Sequence, residues 1–463
     1  MIKNFDDTII ALASPIGKGA IALIRLSGQD VREIVSKISF LPNNKNIKFV
    51  KSSTVHFGFI VDNNKSKIDQ VMFIVLDGPR TFTGQNTIEI TCHNNQFLIE
   101  KIIELAIQNG ARLALEGEFT KRAYLNNKID LIQAEAINEL IHANNQLSIK
   151  NSLEQIEGSL SSFIKNIETN LIKVLSLAQA SFEFLDEDID FKQQIKDNLA
   201  LVLDNITKLK NNFNIAQQIR SGIKVVLIGS VNTGKSSLFN ALLNQSRSIV
   251  TDIEGTTRDT IDASLYHNGN YITITDTAGL RQTDDFIEQE GIKKSFEQAE
   301  LADIILLIFD GSRNLSIKEQ EIYGNLIEKY YKKIIFVANK LDLFANKLLE
   351  ESIFAKYTII KISALTKENF DLLIKSIDNK ISELFSVIES PYLLNKRHYN
   401  NLIKLELQIR DIINIFDNFE NFIPYELVCH NLKDAIETIG QLTGKSVDEM
   451  TLDMVFKEFC VGK

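Results

Sequence analysis

The stretch that decides the fold is Val225–Ile228 followed by Gly229-Ser-Val-Asn-Thr-Gly234-Lys235-Ser236, and then the helical pattern Leu238–Leu243. A short apolar run predicts a buried strand, and G-x4-G-K-S after it predicts a phosphate-binding loop that leads into a helix. Glycines let the backbone N–H groups of such a loop point into one concavity, and the N-terminus of the helix adds partial positive charge. The alternative is an ordinary glycine-rich turn, which the flanking strand and helix disfavour. We therefore expect Lys235 to neutralise the β- and γ-phosphates of a nucleotide and Ser236 to ligate Mg²⁺.

The chain around this loop alternates short apolar runs with helical patterns. The runs are Val225–Ile228, Tyr271–Thr275, Ile304–Phe309, Ile334–Ala338 and Thr358–Ile362. Apolar runs separated by helices predict a parallel sheet that is covered on both faces. We therefore expect an α/β domain over residues 221–384.

Three further motifs follow the predicted strands in order. Asp276-Thr277-Ala278-Gly279 offers a carboxylate that can hold Mg²⁺ through water and a glycine N–H that can contact the γ-phosphate. Asn339-Lys340-Leu341-Asp342 offers a carboxylate that can accept two hydrogen bonds from guanine N1 and N2, which adenine cannot supply. Ser363-Ala364 suits the O6 side of guanine. Together these motifs resemble the G domain of Ras-like GTPases and favour GTP over ATP.

The residue after Gly279 departs from the Ras-like pattern. Ras-like GTPases have a glutamine there that orients the attacking water, whereas this chain has Leu280. The segment 249–259 is a candidate to supply the missing function, with Thr257 as a Mg²⁺ ligand. The carbonyls around Thr251–Ile253, together with Asn232, are expected to hold a monovalent cation that stabilises charge on the phosphates. The alternative is that this stretch is only a polar flexible loop.

The segments on either side of the α/β domain have different patterns. Residues 1–127 are predicted to form a mixed α+β domain, with strands at Ala20–Leu26, Thr54–Val61, Gln70–Leu76 and Thr87–Cys92 and a helix at Phe97–Gln108. Residues 128–220 and 385–463 have helical spacing and are expected to form one discontinuous helical domain that the α/β domain interrupts. The acidic stretch Asp186-Glu187-Asp188 is expected to mark a bend between two long helices.

The composition is that of a globular protein of several domains. The 463 residues are 44% apolar and 24% charged, and the net charge of −9 places any RNA contact on a local patch or on a partner. Cys92, Cys429 and Cys460 are widely spaced, which excludes a disulfide framework and fits a reducing cytosol. The N-terminus shows neither a signal peptide nor a membrane span, so we expect a cytoplasmic protein without a membrane partner.

The chain resembles the MnmE (TrmE) family of K⁺-activated GTPases over essentially its whole length. The matching residues are Asn232, Gly255-Thr-Thr-Arg-Asp259, Asp276-Thr-Ala-Gly-Leu-Arg281, Phe82-Thr83-Gly84 and the C-terminal Phe459-Cys-Val-Gly-Lys463. The resemblance implies K⁺ ligation by Asn232, Thr251, Ile253 and Thr256, and Mg²⁺ ligation by Ser236 and Thr257. It also implies that Glu288 acts in hydrolysis beside Lys235; the alternative for Glu288 is a solvated acidic residue in a mobile loop.

Motifs and resemblance together predict one set of residues around the nucleotide. These residues are Asn232, Thr233, Gly234, Lys235, Ser236, Ser237, Thr251, Asp252, Ile253, Glu254, Gly255, Thr256, Thr257, Asp276, Thr277, Ala278, Gly279, Asn339, Lys340, Asp342, Ser363 and Ala364.

The resemblance also implies a site for (6S)-5-formyl-tetrahydrofolate or a related tetrahydrofolate, with Arg25, Glu89, Lys128 and Lys463 as the matching positions. Alternation in the predicted strand places Arg25 on an apolar face, where it needs either the carboxylate of a folate or an internal salt bridge. The alternatives are a solvated strand face for Glu89 and an ordinary surface lysine for Lys128. Cys460 is expected to be a nucleophile or a one-carbon carrier, and the alternative is a buried thiol.

This chain departs from the family pattern near the expected folate site. Cys92-His93-Asn94-Asn95 replaces Cys-His-Gly-Gly, and Thr83-Gly84-Gln85-Asn86 replaces Thr-Gly-Glu-Asp. Gly17-Lys18-Gly19-Ala20 replaces Gly-Arg-Gly-Gly. These changes leave the nucleotide motifs intact and bear only on folate contacts.

The resemblance implies a homodimer formed by the N-terminal domains, and a heterotetramer with the FAD-dependent partner MnmG that modifies the wobble uridine of certain tRNAs. Lys121, Arg122, Lys396 and Arg397 are candidate RNA contacts, and the alternative for each is ordinary surface charge. Two other functions remain open. One is a regulatory or ribosome-assembly GTPase without tRNA-modifying chemistry, and the other is a nucleotide-binding module with negligible turnover.

Overall fold

The computed structural model describes residues 7–15, 17–42, 45–183, 191–211, 213, 222–245, 261–276, 295–343, 354, 356–386, 392–419 and 423–462. The chain divides into two compact units. The first unit comprises Met1–Ile141, Leu153–Asp204 and Asn400–Lys463, and the second comprises His142–Ser152 and Asn205–Tyr399. The domain boundaries predicted above remain a prediction.

The strands, in chain order, are β1 (Ile9–Leu12), β2 (Ile21–Ser27), β3 (Ser39–Phe40), β4 (Thr54–Val61), β5 (Lys67–Leu76), β6 (Thr87–His93), β7 (Arg112–Leu113), β8 (Ile223–Ile228), β9 (Ile261–His267), β10 (Asn270–Asp276), β11 (Ile304–Asp310), β12 (Ile334–Asn339) and β13 (Ile359–Lys361).

The α-helices, in chain order, are α1 (Val31–Ile38), α2 (Gln96–Gln108), α3 (Glu118–Leu125), α4 (Leu131–Ile141), α5 (Gln146–Ile156), α6 (Ser159–Glu183), α7 (Lys192–Asn211), α8 (Lys235–Gln245), α9 (Ile317–Tyr330), α10 (Phe370–Ser386), α11 (Lys396–Asn418), α12 (Tyr425–Thr443) and α13 (Glu449–Lys457). The predicted bend at Asp186-Glu187-Asp188 lies outside the described residues, between α6 and α7.

The first unit contains a seven-stranded sheet in the order β3-β4-β5-β6-β2-β1-β7. Its neighbours are antiparallel except β1 and β7, which are parallel. One face packs against α1 and α2, because alternate strand residues such as Ile24, Phe73 and Ile88 join the apolar stripes of both helices in one core. On the other face Phe57 and Met72 lie directly opposite each other and are both exposed.

The rest of the first unit is helical, as expected. Buried residues of α6 recur at alternating spacings of three and four, namely Leu160, Ile164, Ile167, Leu171, Val174 and Ala178. In α12 the same spacing joins Val428, Leu432, Ala435, Ile439 and Leu442. Each pattern produces one apolar stripe, and the two helices pack along each other.

The second unit contains a six-stranded sheet in the order β13-β12-β11-β8-β10-β9. The strands from β13 to β10 are parallel, and β9 is antiparallel to β10 at the edge. One core joins the sheet to α8 and α10, and a second core joins it to α9. The expected α/β architecture and its five predicted strands are confirmed. The strand β9 was missed because Asp262, Ser264 and His267 interrupt its apolar residues, so it carries no continuous apolar run.

Candidate functional site

The predicted motifs meet at one edge of the parallel sheet. Parallel register places Asp276 beside Leu227 and Asp310 beside Asn339, so the ends of these strands lie together. Ligands of open α/β sheets bind outside the carboxyl ends of the strands. The loops after β8, β11, β12 and β13 therefore border one site, and β10 ends at the same edge.

The loop Gly229–Ser236 has the backbone of a phosphate cradle. Asn232 and Gly234 adopt the left-handed conformation, with φ of +63° and +89°. A Cβ at Gly229 would overlap the carbonyl oxygen of Ile308, and a Cβ at Gly234 would overlap the side-chain amide of Asn339. Both positions therefore require glycine, and the residues present fit a polyphosphate held by backbone N–H groups.

Lys235 lies within this loop. Its Nζ donates to the carbonyl oxygens of Gly229 at 2.7 Å and of Ser230 at 2.8 Å, and the residue is buried. The buried hydroxyl of Thr233 donates to the same Ser230 oxygen at 2.9 Å. The loop thus holds the positively charged ammonium group of Lys235 at its centre, and a chain of phosphates requires such a charge. Ser236 and Ser237 follow at the exposed start of α8.

Asn339 joins the loop to the two guanine motifs. Its Nδ2 donates to the carbonyl oxygen of Thr233 at 2.9 Å, and its Oδ1 accepts from the N–H of Ala364 at 2.9 Å. The hydroxyl of Ser363 donates to the Asp342 carboxylate at 2.6 Å, and Asp342 is itself exposed. A carboxylate held open to solvent in this way can accept from guanine N1 and N2.

Lys340 has a partner that sequence reasoning missed. Its Nζ donates to Asp310 Oδ2 at 2.6 Å, and Asp310 ends β11. Burial of Asp310 favours the neutral acid, but the hydrogen bonds from Lys340 and Ser312 prevail and lower the pKa of its carboxyl. The position of Asp310 in the sequence could have indicated this role. An aspartate at the carboxyl end of a central parallel strand lies at the edge of the sheet where ligands bind.

Several predicted nucleotide and metal residues lie outside the described residues. They are Thr251, Asp252, Ile253, Glu254, Gly255, Thr256, Thr257, Thr277, Ala278, Gly279 and Glu288. Asp276 is described as the last residue of β10, but its side chain lies outside the description. The roles predicted for these residues remain predictions.

The first unit brings together some of the residues that are predicted to bind folate. Register places Arg25 of β2 opposite Glu89 of β6, and Arg25 Nε donates to Glu89 Oε1 at 2.7 Å. Arg25 Nη1 also donates to the carbonyl oxygen of Gly462 at 3.2 Å, and its guanidinium lies 5.8 Å from the centre of the Phe119 ring. Of the two alternatives for Arg25, the internal salt bridge is therefore present. Glu89 is partly buried and paired, so a solvated strand face is wrong for it.

The other members of that set are placed separately. Lys128 is exposed, and its Nζ donates to the carbonyl oxygen of Pro79 at 2.8 Å. Cys460 is exposed, which excludes the alternative of a buried thiol. Val461 forms a β-bridge with Glu116, so the C-terminal tail is attached beside Gly462. Lys463 lies outside the described residues.

Two of the four candidate RNA contacts are wrong. Lys121 is buried and paired with Asp453. Arg122 is 1% exposed and donates to Glu118, to Gln85 and to the Asp7 carbonyl. Both lie on α3, whose residues 118–123 are all buried, so neither side chain can reach a phosphate backbone. Lys396 is exposed, Arg397 is partly buried, and their contact with RNA remains a prediction.

A phosphate cradle linked to a guanine-recognition carboxylate, at the strand ends of a mostly parallel sheet, defines a P-loop protein of the guanine-nucleotide-binding class. The family model described as the GTP-binding protein TrmE N-terminus matches residues 8–128, and the model described as the MnmE helical domain matches residues 131–460. The chain therefore belongs to the MnmE family of tRNA modification GTPases. It is a GTP hydrolase, with GTP and Mg²⁺ as its ligands.

Curated relatives match over the full length. The tRNA modification GTPase MnmE of Lachnoclostridium phytofermentans is 36% identical over 469 residues, with 99% of each chain covered. The same protein of Thermoanaerobacter pseudethanolicus is 37% identical over 465 residues, with 99% of each covered. That of Aquifex aeolicus is 36% identical over 461 residues, covering 99% of this chain and 100% of the relative. Within the described part of the chain, no helix is long and apolar enough to span a bilayer.

Proposed function

We propose that this chain is a K⁺-activated GTPase that acts with the FAD-dependent partner MnmG on certain tRNAs. Together they add a carboxymethylaminomethyl-type group at C5 of the wobble uridine, with a one-carbon unit from (6S)-5-formyl-tetrahydrofolate or a related tetrahydrofolate. FAD belongs to the partner alone. The observation that carries this proposal is full-length similarity to tRNA modification GTPases in a chain that combines the nucleotide site with the Arg25–Glu89 cluster.

Potassium activation is supported by Asn232. Its backbone adopts the left-handed conformation inside the loop, and the residue is exposed. Its amide oxygen is thus available to a monovalent cation beside the phosphates, with Thr251, Ile253 and Thr256 as the other ligands. Such a cation would offset charge that develops in the transition state, which Leu280 cannot do. Glu288 would act beside it in hydrolysis.

A tetrahydrofolate site is supported by the charges around the C-terminal tail. Arg25 and Glu89 are partly buried, with side chains 21% and 18% exposed, and Arg25 also holds the tail at Gly462. A guanidinium can bind a folate carboxylate bidentately, and a carboxylate can accept from the amino group of a pterin. Lys128 and Lys463 would complete the site, with Cys460 beside it as a nucleophile or one-carbon carrier.

A homodimer is supported by the open face of the seven-stranded sheet. Val55, Phe57 and Met72 are 57%, 43% and 40% exposed on β4 and β5. Register places Val55 opposite Ile74 and Phe57 opposite Met72, which makes one continuous apolar surface. Exposed apolar surface of this kind is typical of protein–protein interfaces. We propose that a second copy covers it, that the complex with MnmG is a heterotetramer, and that both work in the cytoplasm.

The experiment that tests the proposal is nucleoside analysis of tRNA from cells that lack this protein. Loss of the modified wobble uridine, and its return when the wild-type gene is restored, is the expected result. A gene carrying Lys235→Ala should not restore it, because the nucleotide site would be lost. If the wobble uridine is unchanged while ribosome profiles are altered, the chain is instead a regulatory or ribosome-assembly GTPase.

A further inference from the structure

A cluster of polar side chains in the second unit contacts both Lys340 and, in the phosphate-binding loop, Ser230. We name it the Asp310–Tyr323 cluster, and it comprises Asp310, Arg313, Glu319 and Tyr323. Asp310 ends β11 and Arg313 follows it, while Glu319 and Tyr323 lie in the first two turns of α9. Three of them, Asp310, Glu319 and Tyr323, are buried.

Asp310 holds Lys340 on the base side of the site. Its Oδ2 accepts from Lys340 Nζ at 2.6 Å, while its Oδ1 accepts from the N–H of Ser312 at 2.9 Å and from the Ser312 hydroxyl at 2.6 Å. Both carboxylate oxygens are thus engaged, and the side chain cannot rotate without losing a bond. A lysine stem otherwise loses much rotamer freedom when it is ordered. A buried, doubly anchored carboxylate orders that stem before any ligand arrives.

Tyr323 and Glu319 hold Ser230 on the phosphate side. The Tyr323 hydroxyl accepts from the N–H of Ser230 at 2.8 Å and also shares a hydrogen bond of 2.8 Å with the Ser230 hydroxyl. The Ser230 side chain interacts with the Glu319 carboxylate as well. The carbonyl of the same serine accepts from Lys235 and Thr233. Ser230 is therefore fixed through its N–H, its hydroxyl and its carbonyl.

Arg313 connects the two halves of the cluster. Its Nη1 and Nη2 donate to the two Glu319 oxygens at 2.9 and 2.6 Å, and its Nε lies 3.9 Å from Asp310 Oδ2. Glu319 itself forms a capping box with Ser316 at the start of α9. A bidentate pair on a capped helix has a defined geometry, so the loop side and the base side share one rigid support.

We propose that the Asp310–Tyr323 cluster positions both ends of the nucleotide site in advance, with Asp310 placing Lys340 for the base and Tyr323 placing Ser230 for the phosphates. Asp310 and Tyr323 bond residues of the site, Lys340 and Ser230, so we assign the cluster a positioning role. Asp310 acts only through Lys340. Tyr323 acts only through Ser230.

The test is a double-mutant cycle on GDP affinity, with Asp310→Asn, Lys340→Met and the double variant measured by fluorescent GDP titration. Asp310→Asn should weaken GDP binding about tenfold, since a charge-assisted hydrogen bond to Lys340 is lost. In the Lys340→Met background, Asp310→Asn should have no further effect on GDP affinity, because the lysine through which Asp310 acts is absent. Asp378→Asn is the matched control: Asp378 accepts from Asn268 and pairs with His267 in the same unit, and the change should leave GDP affinity unaltered.

Steady-state kinetics separates positioning from a general loss of structure. Asp310→Asn and Tyr323→Phe should raise the KM for GTP about tenfold and lower kcat by less than twofold. Tyr331→Phe, at an exposed tyrosine of the same unit, should change neither constant. Equal losses from Asp310→Asn in both backgrounds, or unchanged GDP affinity in a variant whose melting temperature is preserved, would overturn the proposal. Because GDP and GTP are the only ligands in these assays, the result does not depend on folate, MnmG or tRNA.

Discussion

The side-chain amide of Asn339 donates to the carbonyl oxygen of Thr233 at 2.9 Å, so the guanine motif and the phosphate loop are joined by one buried hydrogen bond. The same amide accepts from Ala364, which brings in the loop after β13. Asn339 is 2% exposed. Its removal would therefore leave the buried carbonyl of Thr233 and the part-buried N–H of Ala364 without this partner.

We expect Asn339→Ala to weaken GDP and GTP binding by at least about tenfold, because the carbonyl of Thr233 and the N–H of Ala364 lose their partner together. Titration with a fluorescent GDP analogue measures the change. Asn198→Ala is a control of the same chemistry, since the exposed Asn198 amide also donates to a backbone carbonyl, that of Gln194 on α7. If both variants bind GDP as the wild type does, the hydrogen bond does not organise the site.

We expect hydrolysis in KCl to exceed that in NaCl by at least about tenfold, and Asn232→Gly to abolish the difference. Glycine is the right replacement because φ at this position is +63°, where alanine would add backbone strain. Phosphate release assays in the two salts provide the measurement. Val231→Ala, at the exposed neighbour, should keep the potassium effect. Equal and barely detectable rates in both salts would favour a nucleotide-binding module with negligible turnover.

Two arginine–glutamate pairs at helical i,i+4 spacing should differ strongly in their contribution to stability. Arg122 and Glu118 are 1% and 0% exposed in their side chains, whereas Arg410 is 52% exposed beside Glu406. Arg122→Met should lower the free energy of unfolding by about 3 kcal/mol, because it leaves a buried carboxylate with less compensation. Arg410→Met should lower it by about 0.5 kcal/mol. Chemical denaturation compares the two, and equal effects would contradict the burial of Arg122.

The Gly462→Ala variant should impair tetrahydrofolate binding without changing GTP hydrolysis. Gly462 has φ of +94°, and a Cβ there would meet backbone atoms of Leu12 and Ala13, so the tail beside Arg25 would be displaced. A loss of about tenfold or more in calorimetric titration with 5-formyl-tetrahydrofolate is expected. Gly110→Ala is the matched control, because φ is +110° there but a Cβ meets nothing within 4 Å. Similar behaviour of the two variants would mean that the tail does not shape a ligand site.

The Arg313–Glu319 pair should stabilise the second unit in a pH-dependent way. The hydrogen bond from Arg313 lowers the pKa of Glu319 from its ordinary 4.5 to about 2. Because the folded-state pKa is depressed, the stabilisation is fully present above pH 4.5 and is lost as the pH falls towards 2.

Thermal unfolding of the wild type and of Glu319→Gln tests this directly. The gap in Tm between them should be widest near neutral pH and should narrow steadily below pH 4.5. A gap that stays constant down to pH 2.5 would contradict a role for the carboxylate charge. Glu104→Gln, at an exposed residue of α2, corrects for the general effect of removing one acidic side chain.

Local patterns determined most of the fold. Continuous apolar runs such as Ile304–Phe309 identified the central parallel strands, since only a strand buried on both faces is apolar throughout. Alternation identified the half-buried strands β4 and β6, and glycine spacing identified the phosphate loop. The strand β9 was not predicted because Asp262, Ser264 and His267 interrupt its apolar residues and leave no continuous apolar run. The same strand predictions located the candidate site, because its motifs lie directly after predicted strands.

Only the tertiary structure determined which charged side chains form ion pairs with each other. Lys121 and Arg122 look like surface charges in the sequence, yet α3 is buried and pairs them with Asp453, Glu118 and Asp7. From the sequence, Arg25 could have been free to bind a folate carboxylate, but the register of β2 against β6 places Glu89 opposite it. Periodicity reports which face of a segment is apolar, and it carries no information about a partner that lies 64 residues away along the chain. The sequence by itself therefore determined the longer central strands, the phosphate loop and the class of nucleotide, while register and packing determined the charge pairs that hold the sites in shape.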